Sequence, residues 1–308
     1  MPSSPIDRVK ARAALGAYRT GSLLAQRVPR PIGMGVSNGL GRSMALVTPE
    51  RRLMVERNLR RAHGPDLAGL ELISKVGATF DSYARYYYDS FRLPAMSSDQ
   101  VDAGFSVDGL HHLEEAMAGG DVGPILALPH LGGWEWAAFW VTKIRGWKLA
   151  AVVEALEPPE VFEWFLQFRE SIGIHVIPLG PTAASDVVEA CLRKEIMCLL
   201  CDRDLTGVGP EVEFFGEATR LPAGPALMSL RTGAALLPTA VYFTDRGVHG
   251  VIRPPLTIER TDSLRDDVTT LTQVLAAELE LLIRRAPEQW HLMVPNWPSD
   301  HEALARGR

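Results

Sequence analysis

Ile125-Leu126-Ala127-Leu128-Pro129-His130-Leu131-Gly132-Gly133-Trp134-Glu135-Trp136 is the stretch from which the fold is read. Its first four residues form a short apolar run, the pattern of a buried strand. Pro129 has no N–H to give a sheet ladder and ends that strand. His130 then falls at the strand's carboxyl end, where open α/β sheets place their ligands. Gly132 and Gly133 make a tight turn without side chains, whose amides can come close to a ligand. From Trp134 to Ile144 the apolar spacing becomes helical, so Glu135 lies in a first helical turn, where the helix dipole favours a carboxylate. Spacing alone leaves two readings open: a general-base site, or a buried histidine followed by an ordinary first-turn acid.

Outward from this stretch, short apolar runs alternate with helical patterns. Strands are expected at 105–107, 124–128, 148–153, 174–178, 196–201, 236–243 and 249–253. Helices are expected near 110–118, 134–144, 158–172, 183–193, 221–233 and 264–286. The alternation implies an α/β fold: a central, mostly parallel or mixed β-sheet of about seven strands, flanked by helices.

The first hundred residues read differently. Residues 5–28 mix Val9, Ala13, Leu15, Tyr18, Leu23 and Leu24 with spaced arginines, an amphipathic helix with a basic face. It either lies on an anionic membrane or packs on the body with its arginines solvated. Pro29 to Leu40, rich in Pro and Gly, reads as a break. Thr48 as cap and Pro49 as first residue open a helix that Gly64 ends. Another follows from about Leu67 to Phe91, and its tyrosines read as core or rim. Residues 1–65 are therefore expected to form a basic helical arm on a single globular unit whose α/β domain spans 66–308.

The overall charge of −5 conceals an asymmetry. Residues 1–61 hold twelve Lys/Arg against Asp7, Glu50 and Glu56, a net +9, which leaves −14 for the remainder. A basic arm on an acidic body points to a polyanionic surface as partner. It does not suit a nucleic-acid module, which would leave the acidic body unexplained, so no nucleic acid is expected.

Three cysteines, Cys191, Cys198 and Cys201, do not make a disulfide framework. Cys198 and Cys201 lie in or beside an apolar run without a second Cys/His pair, so core positions are expected, not a metal site. No stretch reaches the roughly 18 to 20 apolar residues of a membrane span. A secretory signal is also not expected, because Arg19 and Arg27 interrupt the region after the first basic residues.

Polar residues recur at strand ends. Glu154 closes the third strand, Asp202-Arg203-Asp204 follows the fifth, and Arg169 lies late in the helix between the third and fourth strands. Charges are costly to bury, so acids and an arginine converging on one sheet edge with His130 point to a shared cleft.

Pro129-His130-Leu131-Gly132-Gly133-Trp134-Glu135 resembles the His-x4-Asp/Glu block of glycerolipid-type acyltransferases, in the branch that includes the lipid A late acyltransferases. Other segments are similar to the actinobacterial phosphatidylinositol mannoside acyltransferases. They are Glu154-Ala155-Leu156, Phe168 to Gly173, Asp202-Arg203-Asp204-Leu205-Thr206, Glu211 to Glu217, Leu221 to Ala226 and Thr232 to Pro238, within about residues 48–297. Two positions depart from the pattern: Gly133 stands where the family block usually carries Asn, and Asp202 where the mannoside enzymes tend to have Glu.

The resemblance implies transfer of a fatty acyl chain, palmitoyl in the expected case, from acyl-coenzyme A to a mannose 6-hydroxyl of mono- or dimannosylated phosphatidylinositol. No cofactor, metal or covalent acyl-enzyme is implied, and acyl-coenzyme A is a co-substrate. It assigns His130 as base, oriented by a carboxylate at the Asp202 position, with Glu135 as the motif's own acid. A hydroxyl is a weak nucleophile and a neutral imidazole suits its activation. Amides around Gly132, Gly133 and Trp134, or the Arg169 cation, are candidates for the oxyanion. Glu154 is a candidate for the acceptor sugar, Arg203 and Arg220 for coenzyme A phosphates, and Asp204 for substrate binding, with the choice among Glu135, Asp202 and Asp204 as the acid that orients His130 left open. Trp136, Phe139, Trp140, Leu227 and Leu230 are candidate tunnel residues, each also readable as core. The site would work peripherally at the cytoplasmic face of the plasma membrane. Two alternatives stand beside this: a lipid A-type or other glycolipid acceptor for the same fold, and a catalytically silent lipid-binding protein. There is no G-x-S-x-G elbow for a hydrolase nucleophile.

Overall fold

All seven apolar runs become strands of one sheet. The computed structural model describes residues 5–154 and 158–307, with side chains from residue 12 onward. Expectations placed on Ala155 and Leu156, and on the side chains of Val9 and of the basic residues before Arg12, lie outside the described residues. Four helices come first: α1 (Pro5–Arg27), α2 (Arg30–Val47), α3 (Pro49–His63) and α4 (Gly69–Arg92). After α5 (Ser98–Ala103) the chain runs β1 (Phe105–Asp108), α6 (Leu110–Gly119), β2 (Ile125–Leu128), α7 (Trp134–Phe139), β3 (Leu149–Val153), α8 (Pro159–Ser171), β4 (Ile174–Pro178), α9 (Ala183–Leu192) and β5 (Ile196–Leu200). A small hairpin, β6 (Glu211–Phe214) and β7 (Glu217–Arg220), precedes α10 (Gly224–Thr232), β8 (Leu236–Phe243), β9 (Val248–Ile252), α11 (Leu264–Arg284) and α12 (Pro298–Arg306).

The sheet order is β1-β9-β8-β2-β5-β3-β4, parallel from β8 to β4, with β9 antiparallel to β8. Every residue of β2 and β8 is buried, as central strands covered on both faces require. Alternation splits β2 between two cores: Ile125 and Ala127 join one cluster, Leu126 and Leu128 the other. The chain leaves β2 on one side toward β3 and β4, and later returns to β8 on the other. Its mouth at β2 is thus a switch point, where an open sheet leaves a crevice.

Three sequence expectations are corrected. The stretch read as a break is helix α2. Gly33 and Gly41 let it press on α4: a Cβ on Gly33 would lie 2.3 Å from the Tyr88 ring, and one on Gly41 2.5 Å from the Phe80 carbonyl oxygen. Tertiary packing therefore overrides the poor helix propensity of its glycines. Thr48 does not cap α3; its hydroxyl donates back to the Met44 carbonyl oxygen (2.7 Å). The helix expected over 134–144 is α-helical only to Phe139, and Trp140–Ile144 is a π-helical turn.

Helix α1 packs on the body through Tyr18, whose ring meets Phe165 edge-on at 5.2 Å, while Arg12, Arg19 and Arg27 are exposed. At the other end, α12 is held to α3 by Arg57 and Arg61, which bind Asp300 at 2.5 and 2.9 Å. Arg61 also covers the fully buried Trp297 ring at 3.8 Å. The segment before α12, 289 to 296, pairs with the residues after β2 through the Leu131–Trp290 bridge and the His291 N–H to the His130 carbonyl oxygen.

Candidate active site

The register of the sheet builds the site. Ile125 pairs with Met197 and Leu128 with Leu200. Carried on two residues, the same register sets His130 opposite Asp202. His130 Nδ1 lies 2.6 Å from Asp202 Oδ1, and the His130 backbone N–H donates to Oδ2 (3.0 Å). The Asp202 side chain is fully buried. The Trp290 indole N–H donates to Oδ2 (2.7 Å), and the Asn296 amide to the Asp202 backbone carbonyl (3.0 Å). Burial pushes the carboxyl up, but the His130 charge and these hydrogen bonds hold it below its usual range. Burial pushes the imidazole down, and the facing carboxylate more than offsets it, leaving His130 above its usual value. With Nδ1 held, Nε2 is the nitrogen left for a substrate proton.

Glu135 does not touch this pair. It accepts hydrogen bonds from the Tyr86 hydroxyl (2.5 Å) and from Arg169 (3.2 Å), and its carboxyl is pushed up by burial despite both partners. Arg169 sits near the Trp134 ring (5.4 Å) and is engaged by Glu135, so the cation considered for the oxyanion already has a counter-ion.

Gly132 is required by geometry. Its φ is +61°, and a Cβ would lie 1.8 Å from the Val241 carbonyl oxygen. Its N–H donates to the Gln289 carbonyl (3.0 Å), which removes that amide from the candidate oxyanion donors. At Gly133 a Cβ would meet the Phe243 ring at 2.7 Å, so here an aromatic ring takes the space that a side chain would need.

His130, Gly132, Trp134, Glu154, Arg169, Arg203 and Asp204 all line one cavity of about 590 Å³. Its mouth carries a loose ion pair, Arg203 to Glu154 at 3.7 Å. Asp204 is turned inward on its own loop, accepting from the Thr206 and Gly209 amides (2.9 and 2.8 Å). Burial raises its carboxyl and these bonds more than compensate, so it is held low. Arg220 is not brought to this cavity. It donates to the Gly209 carbonyl (2.7 Å) and lines a separate depression with Glu211 and His301.

The apolar part of the cavity is not where the sequence placed it. Trp136, Phe139 and Trp140 are buried in the core, and Leu227 and Leu230 pack against it. The walls are Phe165, Ala151, Ala183, Val187, Cys198 and Met228 instead. Tyr83, Tyr86 and Tyr87, read as core or rim, line the cavity as well. Sequence reading missed Trp290, His291 and Asn296; a Trp-His pair shortly after a long helix was the available signal. Among the described residues no three His, Cys, Asp or Glu side chains gather as a metal-binding group.

The sequence profile described as Bacterial lipid A biosynthesis acyltransferase matches residues 12–299. A protein named phosphatidylinositol mannoside acyltransferase from Mycobacterium tuberculosis (strain CDC 1551 / Oshkosh) is 35% identical, over 97% of this chain and 93% of that protein. One of the same name from Mycolicibacterium smegmatis is 36% identical, over 94% of this chain and 93% of its own length.

Proposed function

The chain belongs to the bacterial lipid A biosynthesis acyltransferase family and is an acyltransferase, and from that premise we propose that it acylates a mannose 6-hydroxyl of a mono- or dimannosylated phosphatidylinositol, drawing the chain from acyl-coenzyme A. The observation that carries this reading is the His130–Asp202 pair at the edge of a cavity that is mostly apolar inside and charged at its mouth. An acyl chain fits the apolar walls, and a sugar on an anionic lipid fits the Glu154–Arg203 pair at the mouth.

Asp202 fixes the His130 tautomer and steadies the imidazolium. Nε2 takes the proton of the acceptor hydroxyl as its oxygen attacks the thioester carbon, and later gives it to the departing thiolate. Glu135, held by Tyr86 and Arg169, fixes the wall beside the reacting groups and takes no proton.

The surface supports a seat on an anionic membrane, with the apolar contact on α2. Ile32, Val36 and Leu40 recur at helical spacing on its outer face, at 60, 60 and 66% exposure. The Gly33–Tyr88 and Gly41–Phe80 contacts make α2 and α4 antiparallel, which sets the exposed Val47 close to the level of the exposed Ile73. Exposed apolar side chains at helical spacing, in an N-terminal region rich in arginine, suit a lipid interface. No helix among the described residues is long and apolar enough to cross a membrane.

The test is acyl transfer from palmitoyl-coenzyme A to a dimannosylated phosphatidylinositol, run beside a lipid A precursor. Preferential acylation of the mannoside supports the reading. Preference for the lipid A precursor, or binding of both without transfer, refutes it.

A further inference from the structure

The cavity holds a second imidazole that the general-base scheme leaves without a role. His291 follows Trp290, and its backbone N–H donates to the His130 carbonyl (2.7 Å), so the two histidines stand on paired backbone. Both rings line the same cavity. His291 Nε2 lies 2.9 Å from Ser82 Oγ on α4. Tyr83, Tyr86 and Phe243 surround the ring, with centroids at 5.5, 5.9 and 6.4 Å.

The hydrogen bonds around the ring select its tautomer. Among the described residues Ser82 Oγ has no side-chain partner but His291, and His291 Nδ1 has no protein partner. Ring nitrogen Nδ1 is thus free of protein partners on a residue that lines the cavity. If the Ser82 hydroxyl donates to Nε2, every proton inside the wall is satisfied and Nδ1 carries the ring N–H. The reverse tautomer leaves the hydroxyl proton without an acceptor.

We propose that neutral His291, with its proton on Nδ1, donates the hydrogen bond that stabilises the oxyanion of acyl transfer, and that Ser82 is the positioning residue that sets this tautomer. This rests on the acyl-transfer reading above. The acceptor oxygen bonds to the thioester carbonyl carbon while its proton passes to His130 Nε2. The carbonyl π pair moves onto oxygen, facing His291 Nδ1–H. On collapse that pair restores C=O, the C–S bond breaks, and the thiolate takes the proton from His130. Ester and thiol leave, and both rings return to their starting states.

Of the other donors considered, the Gly132 amide is taken by Gln289, and Arg169 is turned to Glu135 through Nη2, its buried Nε having no partner. Burial, and next the nearby His130 charge, lower His291 to about 3, so it stays neutral and does not compete for the substrate proton. A neutral imidazole can still polarise a carbonyl from a preorganised position.

The experiment separates the two ring nitrogens. An asparagine amide reaches where Nδ1 stands, and a glutamine amide where Nε2 stands. In the palmitoyl-coenzyme A assay, His291→Gln is expected to lower kcat by about 10²–10³ with KM little changed, while His291→Asn keeps roughly a tenth or more of native kcat. Ser82→Ala should lower kcat, and Ser82→Thr restore it. The opposite order of Gln and Asn, or equal loss in both, makes His291 a strut between α4 and the C-terminal segment and overturns the proposal. Two-bond ¹H–¹⁵N NMR of the native protein reads the tautomer whatever the enzyme turns over. A neutral Nδ1–H form upholds the assignment and an Nε2–H form overturns it. Failure of the native protein to acylate the mannoside sinks the substrate reading instead.

Discussion

Asp202→Asn tests the heart of the site with a change of one atom. Asp202 Oδ2 accepts two N–H groups, the His130 amide at 3.0 Å and the Trp290 indole at 2.7 Å, while Oδ1 faces His130 Nδ1 at 2.6 Å. The asparagine oxygen must stay on the two-donor side, because turning it would leave two buried N–H groups unpaired at about 1–3 kcal/mol each. The new NH₂ then points at Nδ1, which has to accept. The ring proton moves to Nε2, the nitrogen a base needs empty. Loss of a correctly oriented base tautomer costs about 10⁴ in kcat in serine proteases, so a fall of about 10³–10⁴ is expected here. That is about 4–5.5 kcal/mol of barrier. The assay is initial-rate palmitoyl transfer across about pH 5–9, with thermal melting as the fold control. Native kcat/KM should rise with pH through the elevated His130 pKa, since the base acts when neutral. In the variant the carboxylate no longer opposes burial, so the remaining inflection should move to lower pH. A native-like melt with less than about tenfold loss of kcat would refute the tautomer argument.

Other outcomes follow from the same contacts. Gly41→Ala, whose Cβ would meet the Phe80 carbonyl at 2.5 Å, should destabilise by about 1–3 kcal/mol. Gly39→Ala, with nothing within 4 Å, should gain about 0.5–1 kcal/mol; calorimetry distinguishes them. Ile32→Asp with Leu40→Asp should release the protein from phosphatidylinositol-containing vesicles in a sedimentation assay while leaving its melting temperature unchanged. Ala183→Leu, adding three carbons to the cavity wall, should shift the preferred donor toward shorter acyl chains, read by competition between myristoyl- and palmitoyl-coenzyme A.

The sheet was legible because its strands are continuous apolar runs, a signal that burial on both faces imposes. The placement of His130 and Asp202 at one sheet edge was legible for a related reason: each lies two residues past a strand, and strand ends are where a sheet delivers side chains. Helix α2 was not, because its four glycines read as a break when local propensity is the only guide. Two of them serve close approach to α4, a contact invisible from one strand of sequence. The partnership of Glu135 with Arg169 and Tyr86 was equally hidden, since it joins three separate elements. Trp290 and His291 reach the site through backbone pairing with His130 and Leu131, and Arg57, Arg61 and Asp300 tie the chain's end down beyond them, contacts between segments far apart in sequence. The α5 capping box, Ser97 with Gln100, and the hairpin around Gly216 carried local signals that were not drawn on.

The most direct measurement of the central claim is acyl transfer to the mannoside by the native protein beside His130→Ala, both shown to melt alike. The expected result is transfer by the native protein and a loss of about 10²–10⁴ in kcat in the variant. Transfer by the variant at a rate close to native would contradict a histidine general base at this site.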